Sequence, residues 1–134
     1  MIDTSPKHTL EIEIETAGGT ASGVLFFETD SFTNWAENRV SDEELLEYLS
    51  KLPLPIAVLN NINVDAECRG RGLGNTLMEE FLDAVYEASS FVLESDSGEA
   101  QRPGFNLEEW YEGFGFYTEG RDSSGTNPIM VKLD

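Results

Sequence analysis

Apolar and polar residues follow two rhythms along this chain, and the switches between them divide it into elements. From Thr9 to Thr16, TLEIEIET alternates apolar residues with glutamates, the period of a half-exposed strand. AGGTASG then reads as a turn and VLFFE (Val24 to Glu28) as a second strand, so the two strands are expected to pair as a hairpin. In TDSFTNWAENRV neither period holds, which leaves a short helix and a loop both open. SDEELLEYLSKL opens with Ser41 as a helix cap and Glu44 at the capping-box position. It carries Leu45, Leu46, Tyr48, Leu49 and Leu52 as its apolar residues, and PLP ends it.

IAVLNNINV (Ile56 to Val64) is rich in β-branched residues and suits a central strand. Leu73, Leu77, Met78, Phe81, Leu82 and Val85 then fall at helical spacing, predicting a helix to about Ala88. FVLES (Phe91 to Ser95) is another strand, and a strand–helix–strand unit makes it a parallel neighbour of the strand from Ile56 to Val64. After the loop DSGEAQRPG, FNLEEWYEGFG predicts a short helix closed by Gly113 or Gly115. GFYTEG, RDSSGTNP and IMVKLD read as strand, turn and strand.

With 134 residues, 40% of them hydrophobic, the chain suits one compact domain over residues 1–134 rather than a disordered segment. The balance of 26 acidic against 8 basic residues, a formal charge of −18, argues against nucleic acid or an anionic membrane as partner. It favours cationic partners, although a solvated acidic surface alone would look the same. Cys68 is the one cysteine, so no intrachain disulfide forms. The polar start MIDTSPKHTLEIEIET does not resemble a signal peptide, and no apolar run approaches the roughly 20 residues of a membrane span. A cytoplasmic location is the expectation.

The stretch DAECRGRGLGNTLMEEF stands out against that acidity. Arg69 and Arg71 alternate with Gly70, Gly72 and Gly74 directly before a predicted helix. Unpaired N–H groups at a helix start, glycines that let the backbone close in, and two guanidinium groups together suit a phosphate. A Walker loop would need a lysine where Asn75 stands, and a dinucleotide fingerprint begun at Gly70 would need a glycine there.

The segment INVDAECRGRGLGNTLMEEF resembles the acyl-CoA-binding segment of the GNAT superfamily of N-acyltransferases, whose signature is Gln/Arg-x-x-Gly-x-Gly/Ala. Arg69, Gly72 and Gly74 fill the defined positions, with Val64 and Leu73 where that family usually has them. EEWYEGFGF is similar to the family's late aromatic-Tyr-x-x-x-Gly-Phe segment, matched by Trp110, Tyr111, Gly115 and Phe116. The chain departs from the family at Gly104, where many members have asparagine; Asn106 is close but out of register.

The resemblance implies an α/β fold: a mixed central sheet of about six or seven strands flanked by three or four helices. It further implies an acetyl group passing from acetyl-CoA directly to a primary amine. Main-chain groups of Ile62, Asn63 and Val64 would then meet the pantetheine arm. The backbone of Arg69, Gly70, Arg71, Gly72, Leu73, Gly74 and Asn75 would hold the pyrophosphate. Tyr111 becomes the proton donor to the departing thiolate, with packing beside Trp110 as its plainer role. Glu94, with Glu28 as a second choice, would receive the amine proton. Cys68 and His8 have no task in this chemistry, and no His/Cys cluster suggests a metal.

The acidity would draw in a cationic acceptor, either a small-molecule amine or an amine of a basic protein. An exposed strand edge would permit a homodimer. Two other readings remain: an inactive CoA-binding sensor on the same fold, and an acidic module that binds a basic protein.

Overall fold

The computed structural model describes residues 9–68, 72–95 and 106–134. Among them run six strands and four α-helices: β1 (Thr9–Thr16), β2 (Gly19–Phe26), α1 (Thr29–Glu37), α2 (Glu43–Ser50), β3 (Ile56–Val64), α3 (Leu73–Ala84), β4 (Ser90–Glu94), α4 (Leu107–Glu112), β5 (Tyr117–Arg121) and β6 (Pro128–Leu133). A single 3-10 turn, Ala66–Cys68, lies between β3 and α3. The strands form one sheet in the order β1-β2-β3-β4-β6-β5. Only β3 and β4 run parallel, the two strands joined through α3.

Strand alternation sorts the apolar residues onto two faces. One face carries Ala21, Leu25, Ala57, Leu59, Phe91, Leu93 and Met130, covered by Leu77, Met78 and Phe81 of α3 and Tyr111 of α4. The other carries Phe26, Ile56, Val58, Val92, Ile129 and Val131, covered by Phe32 and Ala36 of α1 and Leu45 and Leu49 of α2. The segment that showed neither period is thus a helix, and it is anchored by its Phe32 and Ala36.

The second strand begins at Gly19, earlier than expected, so most of AGGTASG is strand and only Ala17 and Gly18 turn. Its small residues serve packing rather than turning. A methyl on Gly23 would meet the Val58 carbonyl oxygen and lie 2.7 Å from Phe81 Cζ. One on Gly19 would lie 2.9 Å from Leu77 Cδ1. The bareness of β2 is what lets α3 approach the sheet.

Two helix boundaries also differ from expectation. Asp42, not Ser41, caps α2, accepting from the N–H of Glu44 at 2.9 Å and of Leu45 at 3.3 Å. Both residue types cap well, and the helix starts one residue later. At its far end α3 stops at Ala84, short of Ala88, where Val85 leaves helical geometry.

The turn before β6 is built on Asp122, whose carboxylate accepts from Ser124 Oγ at 2.7 Å and from the N–H groups of Thr126 at 3.1 Å and Asn127 at 3.2 Å. The Ser124 hydroxyl, seconded by those backbone groups, holds the Asp122 carboxyl below its ordinary 3.8. A depressed carboxylate stabilises the fold above its unfolded pKa, and that contribution disappears as pH falls through the lower folded value. The Thr126 amide signal should therefore lose its folded position with a midpoint below 3.8. In Asp122→Asn that acid transition should be absent. Gly23→Ala is expected to cost about 1–3 kcal/mol by overpacking, read as a lower urea midpoint at unchanged slope.

Candidate functional site

The functional geometry starts with one extra residue. Gly23 pairs with Leu59 and Ser22 with Asn61, so Asn60 is inserted in β3 as a bulge. A bulge bends its strand and re-aims the side chains beyond it. Here it also resets the alternation: Leu59 and then Ile62 and Val64 face the α3 side. The parallel pairing with β4 ends at the same place, with Leu59 opposite Leu93. Beyond it β3 remains bonded to β2, while β4 remains bonded to β6 as far as Glu94 opposite Ile129. Among the described residues no strand fills the opening between them, so Asn60 to Asn63 present a strand edge toward it.

The start of α3 lies beside this edge. Gly72 occupies its N-cap position with φ 77 and ψ 8, in the left-handed region, and no side chain caps the helix. Among the described residues nothing lies within 4 Å of where a Gly72 methyl would be, so backbone conformation asks for glycine there. The N–H groups of Leu73, Gly74 and Asn75 open the helix, where intrahelical acceptors are lacking. A methyl on Gly74 would lie 3.7 Å from Val64 Cγ2, which shows how near the helix start comes to the end of β3. Arg69, Gly70 and Arg71 lie outside the described residues. The loop containing Gly104 lies outside them too.

Tyr111 reaches the α3 side of the sheet and is 6% exposed, within the cluster that holds Leu59 and Leu93. The spacing Tyr-x-x-x-Gly-Phe has a plain structural cause. Gly115, at φ 97, turns the chain out of α4. Phe116 N–H then donates to the Tyr111 carbonyl at 3.3 Å and Gly115 N–H to that of Glu112 at 2.9 Å. The Phe116 ring packs edge-on against Tyr111 at 6.1 Å between centroids. These are the bonds and the apolar contact of a Schellman cap: Gly113 is the C-cap of α4, and Gly115 supplies the left-handed turn that completes the closure. Asn106 opens it, accepting from the Glu109 N–H at 3.2 Å, which gives the out-of-register asparagine a capping role. Trp110 packs against Tyr111 and Phe114, each at 5.1 Å, and donates its indole Nε1–H to Asn75 Oδ1 at 2.8 Å.

Glu94 ends β4 at the opening. Alternation along β4 assigns it to the face of Val92, opposite the Tyr111 face. The second choice of base, Glu28, comes after Phe26, which pairs with Ile56, so it belongs to the other end of β3, roughly four residues or 13 Å from the bulge. The structure does not bring it to the opening. Cys68 lies under the β1–β2 turn, its Sγ near Gly18. On the face of Val92, Glu11, Glu13, Ser22, Val24 and Asn60 line an open groove of about 280 Å³. Among the described residues no group of three or more His, Cys, Asp or Glu could hold a metal ion, and no helix is long and apolar enough to cross a membrane.

The sequence pointed to the end of β3 at Ile62 to Val64, the helix start and Tyr111. It did not point to the Asn60 bulge or the Trp110–Asn75 bond, because a register shift and a contact across 35 positions leave no local signature.

No protein-family model matches the sequence, and no curated protein matches it. Solved structures do. The chain is similar to nourseothricin acetyltransferase (TM-score 0.55, 17% identity, covering 99% of this chain and 69% of that one). It is similar to the ribosomal-protein alanine N-acetyltransferase of Escherichia coli (TM-score 0.51, 18% identity, 96% and 71%). A third is the PaiA N-acetyltransferase of Thermoplasma acidophilum in complex with coenzyme A (TM-score 0.55, 16% identity, 95% and 62%). The six-stranded mixed sheet and its four helices are those of the GNAT acyl-CoA N-acyltransferase fold.

Gly115→Ala should destabilise the chain by about 1–2 kcal/mol, because a side chain must enter the left-handed region. Asn106→Ala should cost about 1 kcal/mol through its lost cap. Gly74→Ala, with only ordinary contacts to meet, is expected to stabilise by up to about 1 kcal/mol. Urea unfolding of the three variants checks the order.

Proposed function

With the GNAT fold as premise, we propose that this chain is an N-acetyltransferase moving an acetyl group from acetyl-CoA directly to a primary amine of a cationic substrate. The observation that carries the reading is the open edge of β3 beside the left-handed start of α3. Together they fit a long ligand with amides at one end and phosphates at the other. Asn60 to Asn63 offer main-chain donors and acceptors to an extended amide-bearing arm, much as a neighbouring strand would. Ile62, Asn63 and Val64 are the contacts proposed for it. The backbone N–H groups from Arg69 to Asn75 hold the pyrophosphate, and the guanidinium groups of Arg69 and Arg71 offset the acidity of the rest of the chain.

Acetyl-CoA supplies the acyl group already activated as a thioester. Tyr111 Oη is the proton donor to the departing sulfur in this reading. The α4 cap fixes its position. Glu94 takes the proton of the incoming amine, directly or through water. The two groups belong to opposite faces of the sheet, which suits a transfer in which thiolate and amine are served from two sides of one opening. Glu11 and Glu13 would draw a cationic acceptor along the groove that ends at Asn60. The likeness to acetyltransferases of a small molecule and of a ribosomal protein leaves both kinds of amine as acceptors.

Transfer of labelled acetyl from acetyl-CoA to spermidine, an aminoglycoside and a lysine-rich peptide tests the reading. At least one amine should be acetylated. Tyr111→Phe should lower kcat about 100-fold or more while CoA affinity stays within about threefold. Glu94→Gln should be impaired most near neutral pH and recover as pH rises and the amine loses its proton unaided. CoA binding without transfer to any amine would favour a sensor instead, and full activity of Tyr111→Phe would remove the tyrosine from the chemistry.

A further inference from the structure

The hydrogen bond between Trp110 and Asn75 joins the two halves of the proposed site. With six residues, α4 is too short to hold itself together and takes its position from what it touches. Thr118 Oγ1 donates to Glu108 Oε2 at 3.1 Å, tying it to β5. Toward α3 the polar tie is Trp110 Nε1–H to Asn75 Oδ1 at 2.8 Å. The indole also lies across the helix start: its Cζ2 is 3.5 Å from where a Gly74 methyl would be. On its other side the ring rests on Tyr111 and Phe114.

Asn75 is the third residue of α3, so its own N–H belongs to the group that opens the helix. Its side-chain oxygen and that N–H hang from one Cα. A ligand that draws on the N–H groups of Leu73, Gly74 and Asn75 therefore acts on the same residue that holds the indole.

We propose that Trp110 and Asn75 are a positioning pair that couples occupation of the α3 start to the placement of α4 and Tyr111. The inference rests on the CoA reading of the site. Neither residue touches the reacting atoms. Their task is to make the phosphate end of the ligand and the phenol at its acyl end settle together.

The chain has two tryptophans, which supply a probe and its control. Trp35 packs on Phe32 in the cluster on the other face. In the nitrogen-15 spectrum of the full chain, the Trp110 indole signal is the one absent from Trp110→Phe. Free coenzyme A, with binding followed by calorimetry, is expected to move the Trp110 signal and leave that of Trp35 in place. In Asn75→Ala the Trp110 signal should lie upfield before any ligand is added, and its response to coenzyme A should fall at least threefold at matched saturation. Should Asn75→Ala not fold, Asn75→Asp keeps an acceptor on the indole, and the response should persist in it. Binding of coenzyme A by the native chain with an unmoved Trp110 signal would overturn the coupling and leave the CoA reading standing. An undiminished response in Asn75→Ala would overturn it as well. Absence of binding by calorimetry would end the CoA reading, and the coupling with it.

Discussion

The parting of β3 from β4 is the constraint on which the rest of this structure depends. The parallel pairing of β3 and β4 stops after four residue pairs, while β3 runs on to Val64 along an edge with no described strand beside it. The Asn60 bulge bends β3 where the pairing stops and returns Ile62 and Val64 to the α3 side. Past the last pair each strand keeps its outer neighbour, β2 for β3 and β6 for β4 as far as Glu94. Close packing of α3 on the bare surface of β2 then sets the helix start beside the open edge.

Packing and chemistry converge again at α4. Its motif of an aromatic, a tyrosine and a Gly-Phe pair contains a helix cap, because Tyr111 supplies both the carbonyl that Phe116 bonds and the ring that Phe116 covers. The plain role of Tyr111 as a packing residue and its proposed role as a proton donor are therefore compatible. A phenol held by a cap and a neighbouring indole loses little freedom when it acts, which is the condition for a positioned acid.

Much of the fold was legible because it rests on period. The alternation of Glu11, Ile12, Glu13 and Ile14, the β-branched run from Ile56 and the helical spacing from Leu73 each arise from one element burying one face. The glycines of β2 misled because a turn and a close helix approach use the same residue, and only the position of Phe81 tells them apart. The segment around Phe32 and Trp35 does place Phe32, Trp35 and Ala36 at helical spacing, but so short an apolar stripe, interrupted by polar residues, was overlooked in the sequence. The candidate site was proposed where its residues are local, at Gly72 to Asn75 and at Tyr111. It was not legible where strands part, because the opening belongs to no single segment.

In the proposed function the edge of β3 and the start of α3 together receive the CoA moiety. Thermal melting with acetyl-CoA, beside free CoA and ATP, tests it most directly. Ligand at 100 times its Kd should stabilise the fold by about 2.7 kcal/mol, a shift of several degrees for a domain of this size. That shift is expected with both CoA species and not with ATP. An unchanged melting temperature at millimolar acetyl-CoA would contradict it.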